Sequence, residues 1–266
     1  MKDKIQIGIA CGGNSEHFVN FLIDSIEKTV SNDYEIEYIL GVDTKVANRD
    51  FFFNLKTKFK KIICNVPTSD QISAINHGSI LDHVFDKMNS KYGMVVDCDV
   101  AFLMKDWDKK LISVLDKETI IIGTEYELMA NKFMGNPNAI MSLFLVDKLK
   151  ETGLSWKPEM RHLKITEKNK DIYKRKVGEK IFLDTSSEIP SRLHKNSLRG
   201  IPLPLLSLRN NDKKVIFMKD GMRGEEHHFE NNPILTHVGR GSTRDFFSNP
   251  VVVQWKKRVT EWLGRD

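Results

Sequence analysis

The chain has 266 residues, 40% of them hydrophobic, which is enough to fill the core of one large domain. A formal net charge of +5, from 41 basic and 36 acidic residues, is too small for a typical nucleic-acid-binding protein but is compatible with an anionic small ligand. The apolar runs are far shorter than the roughly 18 to 20 residues that a membrane-spanning helix requires, so we expect no transmembrane span.

The N-terminus and the cysteines indicate the compartment. Residues 5–10 form an alternating apolar run that predicts a strand and is too short for a signal-peptide core. The three cysteines, Cys11, Cys64 and Cys98, are odd in number and have no CxxC spacing. We therefore expect reduced thiols and a cytoplasmic protein.

Short apolar runs alternate with amphipathic stretches up to about residue 123, which is typical of βα units and a mainly parallel sheet. Strands are predicted at residues 5–10, 36–42, 62–66, 94–96 and 120–122. Helices are predicted from Ser15 to about residue 30, from the capping-box pair Thr68 and Gln71 to about residue 88, and at 107–115 and 139–150.

The pattern is weaker beyond residue 150. Residues 157–180 carry a charge at nearly every second position, which predicts a solvated helix or a mobile insertion without a catalytic role. Residues 251–263 predict an amphipathic closing helix that packs back on the domain. Docking of this helix on a membrane surface or a partner is the alternative.

Two carboxylates, Asp97 and Asp99, interrupt the apolar fourth strand. Burying an unpaired carboxylate costs several kcal/mol, so the pair is best explained by a cation that neutralises it. Residues two apart on a strand point to the same face, and such oxygen ligands suit Mg²⁺ or Mn²⁺, which can bridge the oxygens of a diphosphate. The pair therefore predicts a metal site at the carboxyl edge of the sheet. Two aspartates that only cap the following turn are the alternative.

Residues 234–242 predict a short strand that ends in His237 and is followed by a glycine-rich loop. A neutral imidazole can complete a divalent coordination shell. Glycines let backbone N–H groups approach phosphate, and an arginine adds positive charge. We therefore expect His237 to be a metal ligand and the loop to support the diphosphate through Gly239, Arg240, Gly241 and Ser242. A loop histidine without a ligand is the alternative.

The run from Glu225 to His228 is another possible metal cluster. It lacks the helical HExxH spacing, and we predict an exposed loop near the site instead.

The stretch at residues 94–103, followed by Trp107, resembles the DxD region of GT-A glycosyltransferases, close to the family-2-like group. The resemblance covers about residues 5–123 in element order and the remainder less specifically. It implies a GT-A-type α/β fold with a mainly parallel sheet flanked by helices. Residues 1–123 would form the nucleotide-sugar-binding half, and residues 124–266 the acceptor-side region and metal-closing segment of the same domain.

The same resemblance implies a transferase that uses Mn²⁺ or Mg²⁺. It would move a sugar from a UDP- or GDP-sugar to a glycan, lipid-linked or protein acceptor. The donor contacts that it implies fall on Ala10, Cys11, Gly12, Asn14, Asp43, His77, Asp97 and Asp99. From the residues alone, Asp43 fits an ordinary turn aspartate equally well, and His77 fits a packed core histidine.

The acid or base that acts on the acceptor is not determined by the pattern. The candidates are Asp184, Glu188 and Glu125, just beyond the fifth strand. A retaining mechanism without a protein base also stays open, as does the oligomeric state.

Two other functions compete with transfer. A haloacid-dehalogenase-type phosphatase also uses DxD, but it places the motif on its first strand and a Thr or Val where Ala101 stands. A non-catalytic GT-A-like domain that binds carbohydrate would not need Asp97, Asp99 and His237. A nucleotidyltransferase should have a basic residue in its N-terminal glycine loop, and a Rossmann dehydrogenase needs a GxGxxG motif that is absent.

Overall fold

The computed structural model describes residues 2–45, 47–69, 73–125, 135–158, 160–161, 176–177, 180–182, 185–207, 224–238 and 249–264. The strands are β1 (Lys4–Cys11), β2 (Glu35–Asp43), β3 (Lys60–Val66), β4 (Tyr92–Asp97), β5 (Val100–Phe102), β6 (Thr119–Thr124), β7 (Met141–Leu145), β8 (Met160–Arg161), β9 (Lys176–Val177), β10 (Lys180–Phe182), β11 (Arg199–Leu203), β12 (Leu205–Ser207), β13 (Glu225–Phe229) and β14 (Asn232–His237). The helices are α1 (Val19–Thr29), α2 (Arg49–Asn54), α3 (Ser73–Lys87), α4 (Trp107–Ile112), α5 (Val146–Glu151), α6 (Ile189–Lys195) and α7 (Pro250–Leu263).

A seven-stranded sheet in the order β11-β6-β7-β4-β1-β2-β3 forms the centre of the domain. Its neighbours pair in parallel, except that β7 runs antiparallel to both β4 and β6. One face packs against α1, α4 and α7, and the other against α3 and α5. Covered on both faces, the inner strands are almost continuously apolar. The predicted α/β class, with a mainly parallel sheet flanked by helices, is confirmed.

The predicted elements of the first half are confirmed. The five predicted strands lie inside β1, β2, β3, β4 and β6. A short 3₁₀ turn, Ser15–His17, precedes α1, and the helix predicted at 107–115 is the shorter α4. The described part of the second predicted helix is α3. Its proposed cap partner Gln71 lies outside the described residues, and the Thr68 hydroxyl donates to Asp43 instead.

The helix predicted at residues 139–150 is wrong in its first half, where the chain forms β7 and turns helical only at Val146. The apolar residues of this stretch fit a helical spacing, but a short continuous apolar run fits a buried strand equally well. Tertiary pairing decides the conformation, because β7 fills the space between β4 and β6 and its Ser142 pairs with Val95 and Gly123.

A second, antiparallel sheet continues from the end of the first, in the order β12-β13-β14-β5. The predicted strand before His237 is confirmed as β14. The exposed loop predicted at Glu225 to His228 is wrong, because these residues form the buried strand β13. Pairing with β12 and β14 on its two sides satisfies the backbone of β13, and its four polar side chains from Glu225 to His228 are buried.

The described parts of the charged segment 157–180 include two short strands that pair with β10 in a small antiparallel sheet. The predicted solvated helix is therefore wrong for these residues. The other residues from 162 to 179 lie outside the described ones.

The closing helix α7 packs on the domain as predicted. Val252, Trp255 and Val259 are buried, and the Trp255 ring lies against Phe18 and Phe21. Among the described residues, no helix combines the length and the apolar character needed to cross a membrane. Cys11, Cys64 and Cys98 are buried free thiols, and none of the three forms a disulfide bond.

Candidate metal and donor site

The aspartate pair lies where the two sheets meet. Strands β1 and β4 are parallel neighbours, and Ala10 pairs with Asp97. Both residues therefore lie at the carboxyl edge of the sheet. The chain leaves β1 toward β2 on one side, whereas β4 lies on the other side of β1. In open α/β sheets such a switch in strand order leaves a crevice that binds ligands. Asp99 follows in the turn that leads into β5.

His237 reaches the aspartates through the second sheet. It ends β14 opposite Val100, the residue after Asp99. Its Nε2 atom lies 3.4 Å from Asp99 Oδ1, and the ligand atoms of Asp97, Asp99 and His237 all lie within 4.8 Å of one another. Asp99 is 3% exposed and His237 7%. The structure thus brings together the three residues that were predicted as metal ligands from distant parts of the chain.

The cluster has the chemistry of a divalent-cation site. Asp97 Oδ1 is buried and makes no contact of full hydrogen-bond geometry among the described residues, although His77 Nε2 lies 3.0 Å away. Carboxylate oxygens and imidazole nitrogen suit Mn²⁺ and, with more oxygen, Mg²⁺. Adjacent ligands of an octahedral ion with bonds of about 2.1 Å lie about 3 Å apart, close to the Asp99 to His237 separation. The residues present therefore fit such an ion after small side-chain shifts.

The electrostatics of His237 reflect its two acidic neighbours. Burial by itself lowers the pKa of this imidazole, but the carboxylates of Asp99 and Glu225 outweigh burial and hold the pKa well above its ordinary value. A proton on the ring partly neutralises the buried carboxylates. A bound divalent cation would take over this role, because a metal-ligating imidazole is neutral.

Glu225 is the residue that the sequence-based interpretation missed. Its Oε2 atom lies 2.7 Å from His237 Nδ1, on the side of the ring away from Asp99. The two residues are direct partners across β13 and β14. Residues 225–228 are all polar and show no strand alternation, so no local signal indicated this pairing.

His77 lies on α3 with its Nε2 atom 3.0 Å from Asp97 Oδ1. It is only partly buried, whereas Leu81, Val84 and Met88 pack into the core. The interpretation of His77 as a packed core histidine is therefore wrong, and the structure places it beside the aspartates. A contact of His77 with a nucleotide stays a prediction.

The residues expected to receive the nucleoside lie at the ends of β1 and β2. Cys11 is fully buried, and burial raises the pKa of its thiol, so its side chain belongs to the core. A methyl group added at Gly12 would meet no atom within 4 Å, so the edge is open there. Asn14 adopts a left-handed φ of 66° that starts the 3₁₀ turn.

Asp43 behaves as a turn aspartate in the described structure. Its Oδ1 atom accepts hydrogen bonds from the backbone of Lys45 at 2.9 Å and from the Thr68 hydroxyl at 2.8 Å. These contacts explain its burial without a ligand. The predicted contact of Asp43 with a base is neither required nor opposed by them.

The predicted acid–base and diphosphate residues are only partly described. Asp184, Gly239, Arg240, Gly241 and Ser242 lie outside the described residues. Glu188 directly precedes α6, and its carboxylate binds the Arg192 guanidinium at 2.8 Å. Within the described ranges, Glu188 makes no hydrogen bond or ion pair with the metal cluster.

An open cleft of about 670 Å³ lies between α1 and α2. Asn20 and Asp24 line it from α1, and Phe51 and Asn54 from α2. None of the predicted site residues lines this cleft, so it is separate from the aspartate cluster.

The solved structures to which this chain is similar include several glycosyltransferases. The mannosyltransferase PcManGT from Pyrobaculum calidifontis, in complex with GDP-Man and Mn²⁺, is 10% identical, with a TM-score of 0.49 over 77% of this chain and 55% of that chain. S. aureus TarS 1-349 is 12% identical, with a TM-score of 0.48 over 75% of this chain and 58% of that chain. The bifunctional WbbM is 11% identical, with a TM-score of 0.46 over 77% of this chain and 39% of that chain.

The chain spans only 39% to 58% of the length of these three proteins. No protein-family model and no curated protein sequence matches the chain.

Proposed function

We propose that this chain is a metal-dependent glycosyltransferase that moves a sugar from a UDP- or GDP-sugar to a glycan, lipid-linked or protein acceptor. The observation that carries the proposal is the convergence of Asp97, Asp99 and His237 at the carboxyl edge of a mainly parallel sheet. Three buried or half-buried ligating groups from two sheets are costly to assemble unless a cation compensates them.

Asp97, Asp99 and His237 would hold Mn²⁺ or Mg²⁺, which supplies electrostatic stabilisation to the departing nucleoside diphosphate. The segment 10–14 ends β1, and Asp43 ends β2 next to it, so both lie at the edge that holds Asp97. We assign the nucleoside to this edge. His77 would hold Asp97 in place beside the donor through its 3.0 Å contact.

For the acceptor side, we propose candidate residues for the catalytic base. Asp184, Glu188 and Glu125 are the candidates for the base that takes the acceptor proton. Glu188 would first have to break its ion pair with Arg192, which makes it a weaker candidate. The segment from Gly239 to Ser242 begins two residues after His237 in the sequence, which suits the proposed contact with the diphosphate.

Thermal melting with UDP, GDP and CMP, each with and without Mn²⁺, tests the donor site. A ligand present at 100 times its Kd stabilises the native state by about 2.7 kcal/mol, and we expect one nucleoside diphosphate to do so only with Mn²⁺. Stabilisation by phosphate analogues alone would instead favour a phosphatase. Release of the nucleotide from UDP- and GDP-sugars then tests turnover.

Asp99→Ala should abolish Mn²⁺-dependent stabilisation and turnover while the chain stays folded. Asp147→Ala is the matched control, because Asp147 is exposed on α5. Retained turnover in Asp99→Ala would remove the metal assignment. Nucleotide binding without any turnover would support the non-catalytic alternative.

A further inference from the structure

We infer that Glu225 positions His237 for a divalent cation, by accepting a hydrogen bond from Nδ1 and so directing Nε2 at the aspartate pair. This inference rests on the metal site of the proposed function. It assigns a role to an acidic residue that is not itself one of the three predicted ligands.

The strand pairing brings Glu225 and His237 together. The two residues lie directly opposite each other in the antiparallel pair of β13 and β14. Opposite residues of such a pair have Cβ atoms about 4.5 to 5.5 Å apart and project from the same face. Glu225 Oε2 consequently reaches His237 Nδ1 at 2.7 Å, the distance of a charge-assisted hydrogen bond.

The two nitrogens of His237 have different neighbours. Nδ1 lies against Glu225, and Nε2 lies 3.4 Å from Asp99 Oδ1. A neutral imidazole carries one proton, so a carboxylate that accepts from Nδ1 keeps the proton there and leaves the Nε2 lone pair for a cation. A carboxylate behind a ligating histidine also fixes the plane of the ring and makes the nitrogen a stronger donor.

The neighbouring acid of the same strand has a different partner. Glu226 is fully buried and lies 2.8 Å from His228 Nε2. Successive residues of a strand point to opposite faces, so Glu226 projects away from the side that Glu225 shares with His237. The run from Glu225 to His228 is therefore not a metal cluster of its own. Glu225, the first acid of this run, orients His237 on the neighbouring strand β14.

Mn²⁺ binding measures the contribution of Glu225. Electron paramagnetic resonance gives the free Mn²⁺ and hence the Kd, and pulsed measurements detect the imidazole nitrogen bound to the ion. We expect Glu225→Ala to weaken Mn²⁺ binding about 10- to 100-fold and to reduce the nitrogen signal. Glu225→Gln should recover part of the affinity, because its amide oxygen can still accept from Nδ1. Glu226→Gln, a buried change in the same strand, should leave both readouts unchanged.

The protonated nitrogen can be observed directly in the wild-type chain. Nitrogen NMR of the Mg²⁺-loaded wild-type chain should show His237 with its proton on Nδ1, assigned by loss of the signal in His237→Gln. A proton on Nε2 instead would overturn the inference even if Glu225→Ala does not fold. Melting of each metal-free variant separates loss of folding from loss of metal binding.

Failure of the inference is distinguishable from failure of the proposed function. If wild-type protein binds no Mn²⁺, or binds it without a nitrogen signal, the metal assignment itself is wrong. If wild-type protein binds Mn²⁺ through nitrogen and Glu225→Ala binds it equally well, only the role of Glu225 is overturned.

Discussion

Gly78 holds the helix that carries His77 close to a neighbouring segment of backbone. A Cβ atom added at Gly78 would lie 2.6 Å from Lys157 Cα and 2.8 Å from the Trp156 carbonyl oxygen. Ordinary contacts begin at 3.4 Å, so α3 or the segment at 156–157 must move by about 0.8 Å to accept an alanine. Both obstacles are backbone atoms, which cannot rotate away as a flexible side chain can.

The cost of Gly78→Ala follows from two opposing effects. Overpacking of this kind costs about 1 to 3 kcal/mol, and a clash with backbone belongs at the upper end. Alanine in a helix interior recovers about 1 kcal/mol relative to glycine. The free energy of unfolding should therefore fall by about 2 kcal/mol. For a domain of this size that lowers the Tm by about 4 to 8 °C.

The variant should also weaken the metal site, because His77 is the residue before Gly78 and lies 3.0 Å from Asp97. Urea unfolding followed by tryptophan fluorescence measures the stability, and Mn²⁺ titration measures the site. Ser79→Ala is the matched control, since Ser79 lies on the same helix and its hydroxyl donates to the Ile75 carbonyl oxygen within that helix. A Gly78→Ala protein as stable as the wild type, or more stable, would refute the close contact.

Three further predictions concern buried groups. Burial lowers the pKa of His227 to about 4, so between pH 6.5 and 5 only the unfolded state takes up its proton, and stability should fall by about 2 kcal/mol. His227→Phe should lose that part of the pH dependence in urea unfolding, and an unchanged slope would contradict the shift. Trp255→Ala should lower the free energy of unfolding by about 3 to 5 kcal/mol. Val253→Ala, at an exposed position of the same helix, should change it little. A small loss for Trp255→Ala would show that α7 is not docked on the domain. A thiol reagent should react slowly with the native chain at pH 8 and rapidly with the unfolded chain, because burial raises the pKa of all three thiols, and fast native labelling would contradict this.

The first half of the fold was predictable because its signals are local. The strand runs in β1, β2, β3, β4 and β6 are apolar, and turn or helix-start residues separate them, so each could be identified from its own residues. Asp97 and Asp99 could be singled out for the same reason, since a charged pair on a buried strand conflicts with its surroundings. Their position at the carboxyl edge followed from the strand alone.

The second half depended on partners that are distant in the sequence. Residues 141–145 fit a helix and a strand equally well, and only the gap between β4 and β6 makes them a strand. The run from Glu225 to His228 was too polar to be recognised as a buried strand, because nothing local shows that β12 and β14 pair with it on both sides.

The sequence by itself determined that this chain builds a mainly parallel α/β sheet with two carboxylates at its edge. Apolar strand runs, and charged residues within an otherwise apolar strand, can both be recognised within a few residues. A histidine before a glycine-rich segment also singled out His237, but only the tertiary structure decided how His77, His237 and Glu225 lie around those carboxylates. His77 comes from a helix, and His237 and Glu225 from two strands of another sheet. Side-chain distances across elements depend on strand register and packing, which no local pattern encodes.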